Sequence, residues 1–134
     1  MRKILFTVVA GTAILFGCSK NSDKPASIQG TWTANQLVAT TYFNGVLSGS
    51  DTITSGTLQF DANGNVTTTD SSGTTTGTYT FNTSTNQLTV ISNGDTTNAN
   101  VTQLTSNNLH FNSDESSTVS GFTVRVTLDA DYKR

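Results

Sequence analysis

The chain has 134 residues, a formal net charge of -2 and only 12% charged residues, against roughly 25% in an average soluble domain. Its length suits one domain, and its lysines and arginines stop at Lys24 and resume only at Arg125, so the middle offers no basic face to neutralise phosphates and nucleic-acid binding is excluded. Cys18 is the single cysteine, which excludes an intramolecular disulfide and a cysteine-based zinc site.

Met1-Arg2-Lys3 is a cationic start, followed by an uncharged, mostly apolar run from Ile4 to Phe16. About 13 residues are too few to span a bilayer, which takes about 20, but they suit the apolar region of a signal peptide. The run ends in Leu15-Phe16-Gly17-Cys18. This resembles the bacterial lipobox, which implies cleavage between Gly17 and Cys18 and a diacylglycerol on the Cys18 thiol. Two or more acyl chains anchor a protein stably where one does not. The expected organisation is therefore a lipoprotein signal peptide over 1–17, a lipidated cysteine with a polar tether over 18–27, and a folded domain over 28–134. The tether, SKNSDKPAS after Cys18, would reach roughly 30 Å at full extension. Ser19 stands where an Asp would signal inner-membrane retention, so the expected location is the cell envelope, lipid-anchored, at the outer membrane.

After Ser27 the apolar residues alternate. Thr78-Tyr79-Thr80-Phe81 puts both aromatics on one face, Leu58-Gln59-Phe60 and Leu109-His110-Phe111 repeat the pattern, and Phe122, Val124, Val126 and Leu128 share a face opposite Arg125. A period of two is the signature of half-buried strands, and threonine suits their wet side. Turn signals at Asn63-Gly64, Ser71-Ser72-Gly73, 82–86, Asn93-Gly94 and 106–108 separate the runs. They predict eight strands, near 30–43, 52–61, 65–70, 74–82, 87–92, 96–105, 108–113 and 119–132, with 44–51 as a loop. Hairpin after hairpin favours an all-β, eight-stranded antiparallel up-and-down barrel over the alternative, a two-sheet sandwich. Trp32, Val38, Leu58, Phe60, Tyr79, Phe81, Leu88, Val90, Val101, Leu109, Phe111, Val124 and Val126 are the expected core.

Gly30-Thr31-Trp32 opens the first strand, and it resembles the Gly-x-Trp opening of lipocalins and their calycin relatives. Gly56 to Val66, Gly77 to Phe81 and Asn86 to Val90 then resemble successive strands of small lipocalin-like lipoproteins common in Bacteroidota. The resemblance implies that Trp32 closes one end of the barrel with a basic residue of the last strand across its indole. Arg125 is the candidate, although alternation sets it opposite Val124 and Val126. It also implies a cavity for a small apolar or amphipathic ligand, for which Phe60, Tyr79, Phe81, Phe111 and Val124 are the candidate lining. A related eight-stranded lipoprotein family inhibits proteases through one end of its barrel, so an envelope structural or interaction protein acting through its loops is the alternative.

The residues offer little for chemistry. His110 is the only histidine and falls on a polar face, no Gly-x-Ser-x-Gly motif occurs, and the acids cluster at turns where water levels their pKa values. Asp61, Asn63 and Asn65 have the alternating oxygens of a calcium loop but lack its downstream Glu. Asp51-Thr52-Ile53 and Asp95-Thr96-Thr97 resemble O-glycosylation acceptors. The sequence thus predicts a non-catalytic protein without metal or cofactor.

Overall fold

The computed structural model describes residues 26–134; the expected signal peptide, its cleavage position at Gly17, Cys18 and the tether through residue 25 lie outside the described residues. The domain is all β. In chain order the strands are β1 (Gly30–Phe43), β2 (Val46–Ile53), β3 (Thr57–Phe60), β4 (Asn65–Asp70), β5 (Gly73–Asn82), β6 (Gln87–Ser92), β7 (Asp95–Leu104), β8 (Asn108–Val119) and β9 (Phe122–Lys133).

Every neighbouring pair is antiparallel, and the sheet closes because β1 also pairs with β9, from Thr33↔Lys133 to Phe43↔Val124. A single sheet closed on itself is a barrel, so the sandwich alternative does not hold. The other edge of β1 is shared: β3 takes its first residues, Gly30 to Thr33, and β2 takes Leu37 to Phe43. Eight positions thus form the barrel, with β2 as one additional strand. We call the end where β1 begins the lower end; it holds the β3–β4, β5–β6 and β7–β8 turns. The β1–β2, β4–β5, β6–β7 and β8–β9 turns lie at the upper end, and residues 54–56 link β2 to β3 part-way along β1.

The region 44–51, expected as a loop, is the first hairpin and most of β2. Asn44 and Gly45 both take positive φ (48° and 81°), the backbone of a two-residue turn matched to strand twist. The strand escapes detection because all eight of its residues are exposed, so nothing selects an alternating pattern. Likewise β8 does not stop at 113 but runs to Val119, turning through Ser120 and Gly121 (φ 51° and 83°) into β9.

The core lies in the lower half. Trp32, Phe60, Leu88 and Leu109 are fully buried, and Leu58, Val66, Ala99, Val101, Phe111, Ala130 and Tyr132 are nearly so. Tyr79, Phe81 and Val90 pack against this cluster partly buried. Val38, Val124 and Val126 depart from expectation: Val124 and Val126 face inward but lie above the core, where Val126 is 39% exposed, and Val38 turns outward. A bulge at Asn35 breaks the β1–β9 register between Ala34 and Gln36, and one extra residue flips every later side chain to the opposite face. Leu37 thereby turns inward beside Ala130, and Val38 turns outward beside Asp129. On the outer face Thr67 and Thr69 of β4 lie opposite Thr76 and Thr74 of β5, whereas Thr68 and Thr75 between them share the inward face of Val66.

Candidate binding surface

The lower end is sealed. Trp32 donates its indole N–H to the Ile28 carbonyl at 2.8 Å, and the Arg134 guanidinium lies 4.1 Å from the centre of its ring. Arg134 also donates to the carbonyls of Gln29 (2.7 Å), Ser106 (2.7 Å) and Ser27 (3.2 Å). One side chain therefore ties the segment before β1 to the β7–β8 turn across the indole. Gly30 makes room for it: its φ is +120°, and a Cβ there would stand 2.6 Å from the guanidinium nitrogen. Arg125, the sequence candidate for this place, is instead near the upper end. It lies 5.4 Å from the ring centre of Tyr42 and pairs through two nitrogens with Asp114, on the outer face that alternation assigns it.

The five candidate cavity residues do not surround one space: only Tyr79 and Phe81 share one, an open depression of about 540 Å³ at the lower end lined also by Ile28, Gln29 and Thr83. Phe60 and Phe111 are buried core; Tyr79 meets Phe60 edge-on at 4.7 Å and donates its hydroxyl to the Asp61 carbonyl. Phe81 is half-buried near the lower end, and Val124 lies well above them on β9, opposite Phe43. A pocket of about 190 Å³ opens at the upper mouth between Leu37, Ile53, Thr57, Thr69, Asp70 and Tyr132, below the roughly 300 Å³ at which ligand pockets begin.

Two outer features hold polar chemistry. His110 Nε2 lies 2.5 Å from Asp129 Oδ1 and its Nδ1 lies 2.5 Å from Thr102 Oγ1. Thr102 is the extra residue of a β7 bulge, so these bonds tie the bulge to β8 and β9. An open depression of about 690 Å³ lies alongside, but Asp114, Asp129 and Asp131 are in its lining. Carboxylates are of the wrong sign to stabilise an oxyanion, so the threonine–histidine–aspartate line reads as a cross-strand clasp. At the β3–β4 turn the Asp61 carboxylate accepts from the Asn63 and Asn65 backbone N–H groups and from the Asn65 amide. Its oxygens close the turn, and these bonds hold its pKa below the usual carboxylate range. Thr52 and Thr96 of the two acceptor-like triplets are both exposed.

The upper end is built differently. β8 pairs with β7 only up to Asn112, and β2 pairs with β1 alone. The upper parts of β2, β1, β9 and β8 therefore form a four-stranded extension with two free edges. Pairing fixes its faces. Leu37, Ala39, Thr41 and Phe43 of β1 lie opposite Ala130, Leu128, Val126 and Val124 of β9 and continue the inward face of the barrel, with Ile53 and Val46 of β2 beside them. Above the core that face stays open. Phe43 is 44% exposed, Val46 69%, Val119 65% and Phe122 51%, and Phe43 stacks on Phe122 at 5.4 Å between ring centres. The sequence alternation over 122–128 identifies half of this face; Asn44-Gly45 and Ser120-Gly121 are the signals for the two hairpin tips that carry the rest.

No protein-family model, curated protein or solved structure matches this chain.

Proposed function

We propose that this protein is a non-catalytic lipoprotein of the bacterial cell envelope, held by lipid on Cys18, whose barrel is an interaction module working through its upper end. The observation that carries the proposal is the contrast between the two ends. The lower half is filled and capped, whereas the upper extension leaves aromatic and branched side chains exposed on one continuous face. Contiguous exposed apolar surface of this kind marks an interaction site. The Gly-x-Trp opening with a cation over its indole supports the lipocalin-like resemblance, with Arg134 in the role. The small mouth pocket and the packed aromatics favour a macromolecular partner over an enclosed small molecule.

Two measurements test this. Intact-mass analysis of the protein extracted from membranes should show residue 18 acylated and the first 17 residues removed, and Cys18→Ser should release the domain into the soluble fraction. Native mass spectrometry of complexes recovered from its own host should then show a partner lost on combining Phe43→Ser with Phe122→Ser. An unmodified Cys18, or identical complexes from both forms, would sink the corresponding half of the proposal.

A further inference from the structure

Exposed apolar surface alone does not name its occupant; the charges around it do. Asp51 of β2 lies directly opposite Ala39, so it projects on the same inward face, and Glu115 of β8 lies opposite Val126 on that face from the other side. The apolar strip formed by β1 and β9 thus runs between two carboxylates, one on each outer strand. A third, Asp70, joins Leu37 and Ile53 in the lining of the mouth pocket. Hydrogen bonds from the Ser72 hydroxyl and backbone N–H hold its pKa below the usual range, so it stays ionised. The nearest cation, Arg125, points to the opposite face and is already paired with Asp114. Among the described residues, no lysine or arginine faces the strip.

This pattern selects against two simple occupants. A second copy packed face to face would bring two pairs of carboxylates together with no cation between them, and like charges in contact suppress a partner. An anionic membrane surface is disfavoured for the same reason. A segment with an apolar centre and positively charged flanks satisfies both features at once.

Resting on the interaction-module proposal above, we infer that the upper face docks a cationic amphipathic segment of a partner protein, its apolar side chains on Phe43, Val124, Val126 and Phe122 and its cations reaching Asp51 and Glu115.

The test titrates the protein, as purified from its host, with a dye-labelled blocked peptide of about eight residues alternating lysine and leucine, followed by anisotropy. A glutamate–leucine peptide is the comparison. The lysine–leucine peptide should bind, and binding should weaken as salt rises from about 50 to about 300 mM. Combining Asp51→Asn with Glu115→Gln should weaken it about fivefold, and combining Phe43→Ser with Phe122→Ser about tenfold or more. Leu47→Ser, an exposed apolar residue opposite Tyr42 on the outer face, should leave it unchanged. Emission from Trp32 checks that each variant is folded. Equal binding of the glutamate–leucine peptide, or indifference to the two acid substitutions, would overturn the charge assignment. Concentration-dependent dimers abolished by Phe43→Ser would make a second copy the occupant. Uptake of the acyl-free chain by phosphatidylcholine or phosphatidylglycerol vesicles through the same face would make it a membrane. If the peptide fails while native complexes still depend on Phe43 and Phe122, the interaction module stands and the cationic partner falls.

Discussion

Arg134→Ala should cost far more than a surface substitution, because the side chain lost is a closure of the barrel. Its guanidinium stacks on a fully buried indole and donates to three backbone carbonyls from two separate segments. A cation–π contact of this kind contributes about 0.5–2 kcal/mol, and a charge-assisted hydrogen bond about 1.5–3 kcal/mol when buried. Arg134 is exposed overall, and water replaces part of each bond once the side chain is gone, so the net loss should be about 2 kcal/mol. With a urea slope of about 1 kcal/mol/M for a small domain, the midpoint should fall by roughly 2 M. Trp32 is the only tryptophan, so its emission reports both unfolding and local wetting; Arg134→Ala should red-shift the native spectrum before any denaturant is added. Arg134→Lys should recover only part of the midpoint, since an ammonium cannot reach three carbonyls while stacked flat on the ring. A midpoint within about 0.4 M of wild type with an unshifted spectrum would show that the guanidinium is a bystander and that Ile28 and the neighbouring turns seal the indole unaided.

Gly30→Ala should destabilise the domain by about 1–3 kcal/mol through backbone strain at φ +120° and displacement of Arg134; combined with Arg134→Ala in a urea series, the penalties should be less than additive. Burial pushes the Tyr132 hydroxyl from 10.0 up to about 12, so the native state keeps a proton that the unfolded chain releases. Its contribution is intact below pH 10 and is lost as pH rises from 10 towards 12, by of the order of 2 kcal/mol. Tyr132→Phe should remove that part of the alkaline loss in a pH series of thermal melts. On the acid side, the bonds from Asn65 and Asn63 lower the Asp61 pKa, so its contribution is present above 3.8 and fades as pH falls through the lower folded value; Asp61→Asn should flatten the stability profile there. Phe122→Ser alone should change stability by no more than about 1 kcal/mol, since an exposed aromatic pair contributes about that much, in contrast to its large expected effect on peptide binding.

The barrel was legible because most strands are half-buried and the side chains selected by the core reveal their period. Leu58 and Phe60, Leu88 and Val90, and Leu109 and Phe111 each occupy the inward face that alternation gives them. What the pattern could not carry was a change of parity. The Asn35 bulge offers no composition signal, and it moves Val38 from core to surface while leaving Trp32 and Ala34 inside. The Thr102 bulge does the same on β7 and creates the clasp to His110. The upper hairpins stayed hidden for the opposite reason: β2 and the end of β8 are exposed on both faces, so their residues answer to no buried side. Only the Asn44-Gly45 and Ser120-Gly121 turns betray them. Arg134 was missed because it follows the last alternating run, where a lone cation resembles a solvated chain end until the indole beneath it is placed.

The positions of the two ends relative to each other carry the functional proposal further. Ala26, the first described residue, joins Ala62, Gly64 and Thr83 in a pocket lining at the lower end, next to the segment that Arg134 holds. β1 then runs through 14 residues, about 43 Å of strand at the usual advance and less in height because barrel strands tilt, before it delivers Phe43 to the upper tip. A chain held through Cys18 would therefore be anchored at its sealed end and would present the apolar, acid-flanked face at the far end of its longest strands. If the expected tether were present, an upright domain would hold Phe43 and Phe122 on the side away from its own membrane and available to a partner. Lengthening the tether should leave recognition unchanged if the partner approaches from solution. If binding in intact cells instead rose steeply with tether length, the partner would lie at a fixed height that the natural chain barely reaches. The face would be the same, but the geometry of encounter would be set by the envelope and not by the barrel.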